Sequence, residues 1–199
     1  MKVLVLDLDG VVVTPAPDEM FRHVRARDFG ISEEMSGEFF GGVFQECLVG
    51  KADLKEELKP FLDTWNWSGS VDDFIDIWFE SEHVLHRKII DLVGEYWLGK
   101  WKCVAATNQE KYRTEYLRKE MGLGKVFEKI YASCELGAKK PERRFYELVT
   151  EDLGVCAAEV CFWDDSEENV HAAGEWGWDA RVYEGLEIFH EWAEQRLSE

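Results

Sequence analysis

Residues Lys2 to Leu6 form an aliphatic run with no polar position alternating into it. A strand covered by helices on both faces reads this way, whereas a half-exposed strand alternates. Similar runs recur at Lys102 to Ala106, Val160 to Trp163 and Ala180 to Tyr183, with a weaker one at Lys129 to Ala132. Between the later runs the apolar positions take helical spacing. Glu110 to Met121 stops at Gly122, Pro141 to Leu153 carries its proline in the first turn and stops at Gly154, and Ser166 to Trp176 stops at Gly177. This alternation predicts an α/β fold with a parallel sheet, right-handed crossovers and a ligand site at the carboxyl ends of the strands.

The first crossover breaks the pattern. Roughly ninety residues separate Leu6 from Lys102, where a crossover needs about a dozen, so a further unit is inserted there. Its content reads as helical. Ser32 precedes Glu33-Glu34, and Asp53-Leu54-Lys55-Glu56 and Ser70-Val71-Asp72-Asp73 resemble N-caps followed by an acidic first turn. An apolar-periodic segment runs from His83 to Gly99. The expected division is a core of residues 1–17 and 86–199 with a helical insert over 18–85, Thr14-Pro15-Ala16-Pro17 serving as one hinge.

Composition narrows the class of ligand. With 41 acidic against 23 basic residues the net charge is −18, which repels phosphate backbones and anionic headgroups, and no basic run interrupts it. Nucleic acid and membrane surfaces are therefore not expected partners; a small molecule is. The aliphatic start meets Asp7 too soon for a secretory signal and no run approaches a membrane span, so the expected location is the cytoplasm. Five cysteines without a C-x-x-C pair suggest buried reduced thiols.

The candidate chemistry lies at strand ends. Asp7-Leu8-Asp9-Gly10 follows the first run and Asp164-Asp165 the fourth. If those strands are neighbours, up to four carboxylates converge, a self-repelling arrangement that calls for a cation. Oxygen-only ligands suit Mg²⁺. A calcium loop does not fit, because its Gly at the sixth position and Glu at the twelfth are missing. Thr107-Asn108 closes another strand, and Lys139-Lys140-Pro141 stands where the following helix begins. A hydroxyl, an ammonium and helix N-terminal amides around Mg²⁺ make an anion site, for which phosphate is the natural occupant.

The order Asp7-x-Asp9-Gly10, Thr107-Asn108, Lys140-Pro141 and Asp164-Asp165, with Asn169 following, resembles the four motifs of the haloacid dehalogenase superfamily over nearly the whole chain. That resemblance implies a Rossmann-like core and, given the insert between the first and second motifs, the helical-cap branch. Leu-Gly-Ala-Lys-Lys-Pro-Glu and Phe-Trp-Asp-Asp-Ser-Glu-Glu-Asn are similar to small sugar-phosphate phosphatases of that branch. Carried over, it makes Asp7 the nucleophile and a metal ligand. Asp9 becomes the general acid and base, touching the metal through its carbonyl. Asp164 becomes a direct ligand and Asp165 a ligand or water-bridged partner; Thr107 donates to the phosphoryl group, Lys140 neutralises charge and Asn108 positions substrate. The implied activity is Mg²⁺-dependent hydrolysis of phosphate monoesters of small metabolites through an aspartyl phosphate. Asp9 argues against the dehalogenase and phosphonatase variants of the pattern, and Leu6 stands where phosphatases commonly carry Phe. A sugar-phosphate phosphomutase uses the same residues, and a non-catalytic metal- or partner-binding domain would keep the fold. Oligomeric state is not legible. His83 with His86 read more simply as surface histidines, Trp65-Asn66-Trp67 as packing within the insert, and Arg22 with Arg25 as a solvated helix face, than as further ligands.

Overall fold

The computed structural model describes residues 2–98 and 101–197. Five strands, β1 (Val3–Leu6), β2 (Lys102–Thr107), β3 (Ile130–Ala132), β4 (Val160–Asp164) and β5 (Asp179–Val182), form one wholly parallel sheet in the order β3-β2-β1-β4-β5. The insert supplies α1 (Phe21–Phe29), α2 (Glu33–Gly41), α3 (Phe44–Leu48), α4 (Leu54–Thr64) and α5 (Val71–Ser81). After it come α6 (Arg87–Leu98), α7 (Lys111–Lys119), the one-turn α8 (Ser133–Leu136), α9 (Arg143–Leu153), α10 (Glu167–Trp176) and α11 (Leu186–Leu197). None of the described helices is long and apolar enough to cross a membrane.

Burial on both sheet faces explains the unalternating strands. Leu4, Leu6, Ala105 and Trp163 pack against Ile89 and Val93 of α6, Leu117 of α7 and Phe189 of α11. Val3, Val5, Val104 and Phe162, pointing the other way, pack against Phe145, Tyr146 and Val149 of α9 and Ala173 of α10. The insert has a core of its own, in which Phe21, Phe39, Leu58, Trp65, Phe74 and Phe79 are buried together. Its entry and exit strands run side by side: Thr14 donates its N–H to the carbonyl of Val84 at 2.9 Å and His86 to that of Val12 at 2.8 Å. This antiparallel neck hangs the insert directly after the Asp7-to-Gly10 turn.

Several expectations shift in detail. The residues from His83 to His86 belong to the neck, so α6 begins only at Arg87, and Gly99, expected to end it, lies outside the described residues. Pro141 is not in the first turn of α9, which starts at Arg143 with Glu142 as its cap. The reason is the capture of Lys140 by Asn108 described below, which holds that main chain off the helical path. Arg25 is not a solvated residue but a buried one, paired with Glu33 at 2.6 Å. The five cysteines are free, as expected, yet Cys156 is exposed and Cys134 only half-buried.

Candidate active site

Strand register assembles the site. Leu6 stands abreast of Trp163 on β4 and of Ala105 on β2, so one step further along the chain Asp7 lies beside Asp164, with Ala106 on the opposite flank and Thr107 one position beyond it. The sheet changes winding direction here, since β2 and β3 extend one side of β1 and β4 and β5 the other. Such a switch point opens a crevice outside the strand ends.

Lys140 sits at the centre of the crevice, 2% exposed. Its Nζ donates to Asp7 Oδ1 at 2.9 Å and to Asp164 Oδ2 at 2.5 Å. Asp164, fully buried, also accepts from the Ser166 N–H at 2.9 Å and from Asn169 Nδ2 at 3.0 Å. Asn108 makes a reciprocal pair with the Lys140 main chain: Lys140 N–H donates to its Oδ1 and its Nδ2 donates to the Lys140 carbonyl, both at 2.8 Å. Asn108 thus holds the Lys140 main chain, and the Lys140 amide is engaged by Asn108 instead of being free for an anion. Thr107 is buried at the end of β2.

The charge balance is uneven. Burial pushes the Asp7 carboxyl up to about 8; Lys140 pulls it down, and Asp164 and Asp9 push it further up. Burial raises Asp165 as well, with Asp164 adding to it. For Lys140 burial disfavours the ammonium, but Asp7 and Asp164 outweigh it and hold the lysine above its ordinary value. One buried cation thus faces three acids. Ligand oxygens of Asp7, Asp164 and Asp165 lie within 4.8 Å of one another, and Gly10 (φ +79°) leaves room for this: a Cβ there would stand 2.2 Å from Asp165 Oδ2. Three hard oxygen donors at that spacing, short of positive charge, fit Mg²⁺. The carboxyl of Asp9 stands apart from this trio, exposed, and accepts a hydrogen bond from Gln109 Nε2. Gln109 was not singled out from sequence; its position directly after Thr107-Asn108 was the available signal.

A buried ammonium and a cluster of acids at the carboxyl ends of a parallel sheet define an α/β protein with a candidate cation site at its switch point. The family model of haloacid dehalogenase-like hydrolases matches residues 1–177, and the chain belongs to that family. Over 194 residues, 90% of each chain, it is 23% identical to a D-ribitol-5-phosphate phosphatase of Bacteroides thetaiotaomicron. A stretch of 48 residues is 46% identical to a sesquiterpene phosphatase of Aspergillus oryzae, spanning about a quarter of each chain (24%). The structure of a haloacid dehalogenase-family enzyme of B. thetaiotaomicron matches with a TM-score of 0.81 at 23% identity, over 96% of this chain and 98% of that one. Its complex with magnesium and inorganic phosphate matches with a TM-score of 0.76 at 24% identity, over 92% and 93%. The structural likeness is one of fold.

Proposed function

We propose that this hydrolase is a Mg²⁺-dependent phosphatase of small phosphorylated metabolites that works through an aspartyl phosphate on Asp7. The observation that carries the reading is the unlike setting of two neighbouring acids. Asp7 is 7% exposed, in contact with Lys140 and within the trio, whereas Asp9 is exposed and held by an amide. Chemically similar groups in such different surroundings can divide nucleophile from acid and base. Asp7, Asp164 and Asp165, with the Asp9 carbonyl, would hold Mg²⁺, which when bound neutralises enough charge for a phosphate dianion to approach.

In the first half-reaction an Asp7 oxygen attacks phosphorus, the bond to the ester oxygen breaks, and Asp9 gives its proton to the departing alkoxide. In the second, Asp9 takes a proton from water, the water oxygen bonds to phosphorus and the bond to Asp7 breaks, releasing phosphate. Lys140 offsets charge on Asp7 throughout, and Thr107 donates to a phosphoryl oxygen. Uncatalysed monoester hydrolysis can need acceleration of up to ~10²¹, and one general acid supplies only about 10²–10⁴, so nucleophile, cation and acid must act together. In this reading residues 18–85 form the cap over a core of 1–17 and 86–199, which agrees with the separate core of the helices and the paired neck. Both phosphatase relatives act on phosphate esters of small alcohols, a polyol and a terpenoid by their names; this supports a metabolite substrate, and the free cysteines suit a cytoplasmic location.

The test is phosphate release from a panel of sugar, polyol and prenyl phosphates with Mg²⁺ and no bisphosphate activator. At least one should be hydrolysed by the wild type and none by Asp7→Asn. Turnover only with a bisphosphate would indicate a mutase instead.

A further inference from the structure

Gln109 is 7% exposed, and its N–H, carbonyl and Nε2 are all engaged. Its N–H donates to Ser133 Oγ at 3.0 Å, and its carbonyl accepts from Ser133 Oγ and from the Cys134 N–H, both at 3.3 Å. Ser133, itself fully buried, begins α8 at the end of β3. The main chain of Gln109 is thereby fixed to the neighbouring strand end. From that anchor the side chain crosses to the first-strand turn, where Nε2 donates to Asp9 Oδ2. Asp9 needs such a guide, because it stands on an exposed turn outside the trio.

We infer that Gln109 is a positioning residue that holds Asp9 by one carboxyl oxygen and reserves the other for proton transfer. The inference rests on the proposed roles of Asp7 and Asp9. A protonated carboxyl accepts best through its carbonyl oxygen, so while Oδ2 accepts from Gln109 the transferable proton is favoured on Oδ1. Asp9 then delivers that proton from Oδ1 to the leaving oxygen as the phosphorus–ester bond breaks. The vacated Oδ1 takes the proton of the attacking water as phosphorus parts from Asp7. Without the tether the carboxyl samples rotamers in which neither oxygen faces the reacting atoms. Such misplacement of a catalytic group by about 1 Å can cost on the order of 10²-fold in rate.

The roles separate in a rapid-quench experiment with 4-nitrophenyl phosphate and Mg²⁺ on the full chain, comparing wild type with Gln109→Met and Gln109→Asn. Methionine keeps the shape without a donor; asparagine keeps the amide on an arm too short to reach Asp9. Nitrophenolate leaves without a proton, so phosphorylation of Asp7 should stay within about twofold of wild type, while hydrolysis of the phosphoenzyme slows by about tenfold or more. With an alkyl phosphate, kcat should fall by a similar factor and KM change by less than about twofold. If both half-reactions stay near wild type, or both slow alike as a general structural role would have it, the inference is overturned. A wild type that never phosphorylates Asp7 would instead overturn the underlying reading and this inference with it.

Discussion

Lys140 joins the buried ion network to the proposed chemistry. Its ammonium is the shared partner of Asp7 and Asp164 in a place with almost no solvent. Removing one member of a buried ionic set leaves the others uncompensated, at a cost of about 3–5 kcal/mol. Lys140→Met in chelator should therefore lower the unfolding free energy from urea titration by that much, and its turnover should fall below a hundredth of wild type, on the order of what loss of one electrostatic stabiliser does elsewhere. Gly10→Ala should act differently. Its Cβ would intrude on the Asp165 carboxylate from a backbone at φ +79°, so the Mg²⁺ concentration for half-maximal activity should rise about tenfold while kcat at saturation changes less. An unchanged Mg²⁺ requirement would remove Asp165 from the metal site. At this scale the acids were legible because each pair follows an apolar run at a strand end, and the lysine because it stands before a helix start in Lys140-Pro141. It concealed Asn108's attachment to Lys140 and Gln109's to Asp9, since each bridges segments remote in the chain, 32 residues apart in the first case and 100 in the second.

Among the elements, α7 shows how a helix start can bear on pH dependence. Glu110, its N-cap, is 1% exposed and accepts from the main-chain N–H groups of Tyr112 and Arg113. Burial lifts its carboxyl from 4.5 to about 6, the two hydrogen bonds opposing the rise. The folded state thus holds this proton more tightly than the unfolded chain. The resulting stability is fully present below pH 4.5 and is lost as pH climbs through about 6. Relative to Glu110→Gln, which keeps an acceptor and does not titrate, wild type should lose about 2 kcal/mol between those limits. Paired denaturation series across that range check this, and parallel curves would refute it. Glu110→Ala, which removes the cap, should cost about 1 kcal/mol even at low pH. Element boundaries were legible where local chemistry decides them: Ser32, Asp53, Ser70 and Ser166 all cap helices through their side chains. They were not where tertiary partners decide. The neck at 83–86 carries helical apolar spacing yet pairs with residues 12–14, and α8 is a single turn too short to leave a periodic signal.

Taken whole, the molecule carries a net charge of −18 and concentrates part of it at one crevice. A divalent cation that binds only the folded state should stabilise it, by about 2.7 kcal/mol at a hundredfold excess over Kd, so Tm should rise on Mg²⁺ addition and activity should vanish with chelator and return with Mg²⁺. Ca²⁺ should bind yet support little turnover, because it favours more ligands at longer distances; equal rates with Ca²⁺ would count against a nucleophilic Asp7. The central claim is that phosphorus passes through a covalent bond to Asp7. It is tested most directly by rapid-quench mass spectrometry of Asp9→Asn after mixing with 4-nitrophenyl phosphate and Mg²⁺, since that variant retains the nucleophile but lacks the base that hydrolyses the adduct. The account predicts one phosphoryl group on the peptide containing Asp7, absent when Asp7→Asn is added. A phosphoryl group on a Ser, His or Cys, or near-normal turnover by Asp7→Asn, would contradict it.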